Sequence, residues 1–278
     1  MTQLKYFKPT SPGQRGRVVL VTEVGKIKKE PEKSLIVRIK KSPGRSGGKV
    51  TVRHKGGGAR KFYRRVDFKR EKFGVKARIE GLEYDPNRNV SLALLNYLDG
   101  EKRYILAPEG LKIGDLLEAG PKAPIRIGNA LPLSKVSSGI FVHNLEITPG
   151  AGGKLVRSAG VAAQVLGKDE SGKFVQVRLP SGEVKLFLAT CLSTIGQLGN
   201  AGYRHTKFGK AGRIRHLGIR PTVRGVAQNP KSHPHGGGEG RSGIGMPTPK
   251  TPWGKLAFGV RTRRRSKTDK FLVLRRRK

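Results

Sequence analysis

The placement of charge constrains this chain more than any other feature. Residues 81–200 carry a net +2, while residues 1–80 carry +18 and residues 201–278 carry +19. A compact body holding the whole +39 would repel itself unless a polyanion neutralised it. The near-neutral middle is where a core can form, and the two basic ends have the pattern of polyanion-binding arms. Nucleic acid is the first candidate partner and an acidic membrane surface the second. The membrane reading finds little support. No run of 18 apolar residues exists, no basic amphipathic helix is visible, and the opening MTQLKYFKPTSPGQRGRVV lacks the apolar stretch of a signal peptide. Cys191 is the single cysteine, in the apolar run LFLATCLSTIG, so it reads as a small core residue. Neither a disulfide framework nor a cysteine zinc cluster is expected, and a reduced cytosolic compartment fits.

Residues 1–34 show little periodicity, with early breaks at Pro9, Pro12 and Gly13, and read as an extended basic arm ordered on its partner. Residues 35–133 contain VKARIEGLEYD, NVSLALLNYL and KRYILA, with turns at Asp85-Pro86-Asn87 and Asp99-Gly100. Short strands without intervening helices predict a small antiparallel barrel. Residues 111–117 fit a strand or one helical turn equally well. Residues 134–200 repeat the style, with a hairpin at Ser181-Gly182, and predict a second barrel. Residues 201–278 are rich in glycine, proline and basic residues. So long an irregular segment makes sense if it threads through RNA instead of packing on protein.

Two glycine triplets stand out. Lys49 to Arg53 alternates like a half-buried strand, then Gly56, Gly57 and Gly58 interrupt it and residues 61–66 resume strand-like content. Glycines let phosphate or sugar approach the backbone. Arg53, His54, Lys55, Arg60, Lys61, Arg64 and Arg65 crowd the same place, which predicts a phosphate-contacting loop. The second triplet, Gly236, Gly237 and Gly238, lies in NPKSHPHGGGEGR (Asn229 to Arg241) with His233, His235 and Arg241. Arg204, Arg213, Arg215, Arg220 and Arg224 precede it; Arg261, Arg263, Arg264, Arg265, Arg275, Arg276 and Arg277 follow it, and this arginine density suits phosphate neutralisation. Residues 149–155, PGAGGKL, look like a nucleotide-phosphate loop but fail at both defining positions: Thr148 replaces the first glycine and Leu155 the Ser or Thr.

The runs YDPNR (Tyr84 to Arg88), RYILAP from Arg103, RSAG from Arg157, RPTVRG from Arg220, NPKSHPHGGGEGR, and TPWG from Thr251 resemble the bacterial type of ribosomal protein two of the large subunit, along nearly the whole chain. The resemblance implies a mainly β protein, an OB-like barrel (35–133) followed by an SH3-like barrel (134–200), with long irregular basic extensions (1–34 and 201–278) buried in large-subunit rRNA. It implies roles in rRNA assembly, subunit joining, tRNA binding and peptide-bond formation. The implied partners are large-subunit rRNA, the small subunit at the subunit interface and neighbouring ribosomal proteins. One position departs from the family: bacterial members usually carry Asp before the first loop histidine, where this chain has Ser232.

Histidines gathered in a glycine-rich loop also suggest two other chemistries. His233 is the family position tied to a disputed part in peptidyl transfer, and a histidine is a plausible general base. The motif offers only Ser232 and Glu239 as helpers, neither in a pattern that places it on the imidazole. A zinc site from His233, His235 and Glu239 would lack cysteine support and be stiffened by Pro234. No cofactor and no resident metal are expected, and RNA contact is the favoured reading of the loop.

Overall fold

The computed structural model describes residues 3–21, 27–28, 30–39, 44–260 and 266–275. It divides into two compact units. One comprises residues 1–40, 60–211 and 270–278; the other joins residues 41–59 to residues 212–269.

The first unit is mainly β, and two of its sheets form the barrels; among the described residues it also holds two two-stranded sheets, Gln3–Tyr6 with Val18–Val21 and Ile36–Arg38 with Phe62–Arg64. The OB-like sheet runs Lys102–Leu106, Leu92–Tyr97, Ala77–Glu83, Leu116–Leu117, with Ile27–Lys28 added in parallel along Leu82 and Glu83. Its central strand explains its own composition. Leu92–Tyr97 is buried on both faces: Ala93, Leu95 and Tyr97 enter one core with Ile79 and Ile105, while Leu92 and Leu94 enter another with Tyr104, Leu106 and Leu198. Strict alternation cannot appear in a strand with apolar neighbours above and below. The SH3-like sheet is ordered Ala130–Pro132, Leu192–Ile195, Phe141–His143, Ala163–Lys168, Phe174–Arg178, Val184–Leu188, Leu272–Leu274. Val142, Val165, Val175, Val177, Phe187 and Cys191 share its core. Burial holds the Cys191 thiol up at about 11, which leaves it an inert apolar group.

The turn signals hold. Gly100 and Gly182 take positive φ in the hairpins where they were expected. At Asp85-Pro86-Asn87, the Asp85 carboxylate accepts the Asn87 N–H at 2.8 Å. Residues 112–115 form a turn and only Leu116–Leu117 is strand.

Three expectations need correction. The N-terminal arm has structure of its own: Gln3–Tyr6 pairs with Val18–Val21, and Val18 is buried and bridged to Lys207. The strand expected over residues 49–53 covers only Lys49–Val50, and none of these residues is buried. The Gly44 carbonyl accepts both the Thr51 and Val52 N–H groups, so the chain curls. The C-terminal extension does pack on protein at its end, where Leu272–Leu274 pairs with Val184 and Lys185 and Phe271 meets Phe174 at a ring distance of 6.0 Å. Among the described residues, no helix is long and apolar enough to cross a membrane.

Within this unit, His143 is fully buried and its Nδ1 lies 2.8 Å from the Gly196 carbonyl. Burial, not that bond, dominates: it lowers the imidazole from 6.5 to about 4. The unfolded chain therefore takes up this proton before the folded one. Stability present above the ordinary value is lost as pH falls toward 4. Thermal unfolding of a His143→Gln variant should lack roughly 2 kcal/mol of the wild-type loss between pH 7 and pH 5. An unchanged pH profile would remove His143 as its cause.

Candidate RNA interface

The second unit brings together the two glycine-triplet segments, which lie far apart in the sequence. The first triplet is anchored by antiparallel backbone pairing. Gly56 N–H donates to the Gly218 carbonyl at 3.0 Å, Ala59 N–H to His216 at 2.9 Å, and Arg220 N–H to His54 at 3.0 Å. Gly58 shows why glycine is required: a Cβ there would stand 2.9 Å from the Gly218 nitrogen. The close approach inferred from sequence is therefore made first by the chain's own backbone. Gly57 is different, for at φ 63° it faces open space where a side chain would be.

The second triplet packs inward in the same way. The Asn229 carbonyl accepts the N–H groups of Ser232 at 2.8 Å and His233 at 3.2 Å, and its side-chain oxygen accepts Lys231 N–H. A Cβ on Gly236 would fall 2.5 Å from that same carbonyl oxygen. Around this turn, His233 and His235 are each only 8% exposed. His235 N–H donates to His233 Nδ1 at 3.0 Å, and Lys250 N–H donates to His235 Nε2 at 2.8 Å. These bonds fix both tautomers, with the remaining proton on His233 Nε2 and His235 Nδ1. The rings meet in a tilted contact, 4.9 Å between centroids and 60° between planes. His233 lies so close to Gly225 that a Cβ there would be 2.5 Å from its Cε1. Ring orientation is set by backbone groups, so the loop has no need of a carboxylate at position 232.

This arrangement bears on the two rival chemistries. One ring nitrogen of each histidine already accepts a backbone proton, leaving no shared pair of lone pairs for a metal. Among the described residues, no group of three or more His, Cys, Asp or Glu is placed to hold one. The 149–155 loop is also occupied from within. Glu146 is buried, and its carboxylate accepts N–H groups from Gly152 and Leu192 at 2.9 Å and from Gly150 at 3.3 Å. An internal carboxylate holds the amides that a phosphate would have needed.

The basic residues divide. In the second unit Arg53, Lys55, Arg215, Arg220, Arg224 and Arg241 are exposed, with His54 and Arg213 half-buried. In the first, Arg60, Arg65, Arg204 and Arg275 are exposed, and Lys61 donates to the Pro86 carbonyl at 3.1 Å. Arg64 departs from the expectation. It is buried, with Nε 3.5 Å from Glu83 and Nη1 4.0 Å from Asp85, so its charge is met inside the fold. Arg261, Arg263, Arg264, Arg265, Arg276 and Arg277 lie outside the described residues.

Sequence reasoning missed the cleft these elements form. About 430 Å³ in volume, it is lined by Arg45, Val50, Val52, Arg53, His54, Lys55, Gly56, Gly57 and Arg220. The available signal was GRSGG, where Arg45 precedes a second glycine pair on the same short hairpin.

Because His235 Nε2 receives the Lys250 amide, His235→Ala should leave that N–H without its protein partner at a cost of roughly 1–3 kcal/mol. Amide exchange at Lys250 should accelerate by at least about fivefold, while exchange within Leu92–Tyr97 stays unchanged. Equal acceleration at both places would deny the loop its own local stability.

Two family models match the chain. Residues 32–119 match the ribosomal proteins L2, RNA-binding N-terminal domain. Residues 126–254 match the ribosomal proteins L2, C-terminal domain. The chain belongs to the family of ribosomal proteins L2, the RNA-binding proteins of the large ribosomal subunit.

Proposed function

We propose that this chain is a primary rRNA-binding protein of the large subunit that supports assembly, subunit association, tRNA binding and peptide-bond formation without supplying a catalytic group. In this reading residues 35–133 and 134–200 are the OB-like and SH3-like domains, and the extensions 1–34 and 201–278 reach into rRNA of the cytoplasmic ribosome. Neighbouring ribosomal proteins and the small subunit are its other partners. The observation that carries the proposal is the cleft: arginines, a lysine and bare glycine backbone line it, and no carboxylate does among the described residues. Such a surface attracts phosphate and gives a steep salt dependence.

The alternative is direct catalysis through His233. A general base needs an unengaged nitrogen facing the proton it removes. His233 Nδ1 instead accepts the His235 amide, in a ring enclosed by Gly225 and His235. The histidine's role is then to hold the loop in shape.

Binding to large-subunit rRNA should weaken with salt, each phosphate contact adding roughly −0.7 to −0.9 to the slope of log K against log salt. A slope near zero would defeat the proposal. His233→Ala should reduce assembly or subunit joining. If particles assembled normally and peptide-bond formation alone fell by orders of magnitude, the catalytic reading would replace this one.

A further inference from the structure

The cleft holds side chains that phosphate binding does not explain. Val50 and Val52 are both more than half exposed at its wall, among Arg45, Arg53, Lys55 and Arg220. Trp253, 75% exposed, adjoins the cleft through Arg53, a lining residue whose guanidinium lies 5.3 Å from its ring centroid. A large indole left in water is costly unless a partner covers it. A guanidinium over an indole makes a flat, positively charged platform, the kind of surface on which an unpaired nucleobase stacks.

We propose that this cleft seats one unpaired RNA nucleotide. Its base stacks on the Trp253–Arg53 pair, its sugar lies against Val52, and its phosphate is held by Lys55 and Arg220 at the open backbone of Gly57. The inference rests on the proposed rRNA-binding function and specifies what part of the RNA this site takes. The dimensions agree, since about 430 Å³ holds a nucleotide and not a helix. Duplex RNA presents phosphates but keeps its bases stacked inside, so it would leave the indole uncovered. The first triplet then has two tasks. Gly58 lets the protein backbone close on itself, and Gly57 leaves the bare edge that a phosphate approaches.

Trp253 is the only tryptophan, so its fluorescence reports on this place alone. The test titrates the full chain with two RNAs, a fully paired duplex and the same duplex carrying one bulged adenosine. The bulged RNA should quench Trp253 and bind roughly tenfold more tightly. Trp253→Ala should abolish that preference without changing the salt slope, and Trp253→Phe should restore most of it. Arg220→Gln should weaken both RNAs and reduce the slope by about one contact's worth. Equal affinity and equal quenching for the two RNAs, with large-subunit rRNA still bound, would overturn the nucleotide seat and leave the rRNA-binding function standing. Failure to bind any RNA would overturn both.

Discussion

Everything in this structure depends on keeping like charge out of the core, in a chain that has 58 basic and 19 acidic residues. The protein does so by committing carboxylates to inward positions. Glu83 is 1% exposed; it faces the Arg64 guanidinium and accepts the Tyr104 hydroxyl at 2.7 Å, and that hydroxyl accepts the Glu32 N–H at 2.7 Å. One buried carboxylate thus ties the N-terminal segment, the Phe62–Arg64 strand and the OB-like sheet together. Leaving Arg64 without it would cost several kcal/mol, the usual result of stranding a buried charge. Burial and the Glu83 carboxylate both push the Tyr104 phenol upward, so it stays a neutral donor. Nearer the surface, Lys72 lies between Asp99 and Glu101, and Arg103 between Glu101 and Asp67.

With acids drawn to the barrels, most of the remaining cations face outward, Arg70 being a buried exception that donates to the Gly128 carbonyl, and on the second unit cations line a cleft that, among the described residues, no carboxylate lines. The electrostatics of folding and of binding are therefore one distribution. The same scarcity explains why the loop histidines are oriented by amide protons. Backbone groups shape this loop without adding charge to it.

Much of this was legible in the chain. Asp99-Gly100 and Ser181-Gly182 marked the hairpins they form, and the neutral middle marked the barrels. Glycine triplets announced that something approaches the backbone closely. They could not say what, because a missing Cβ records only the need for space, and at Gly58 and Gly236 the visitor is the protein itself. Arg64 and Arg65 are indistinguishable by composition, but they point to opposite sides of one strand end. Only the position of Glu83 shows which of them is inside. The histidines were ambiguous for a similar reason: the pattern shows imidazoles in a loop, while the acceptor role of His233 depends on the His235 amide and that of His235 on a Lys250 amide fifteen residues away.

The Leu272–Leu274 strand has one more consequence. By pairing with Val184 and Lys185 it returns the chain to the unit that residue 211 left. Residues 212–269 are therefore not a tail with a free end but a segment tethered on both sides. Fixing both ends removes conformations from the unbound chain in advance, and the entropy of doing so grows only slowly with the length enclosed. A segment held at both ends has less ordering left to undergo on meeting a partner than a dangling arm would.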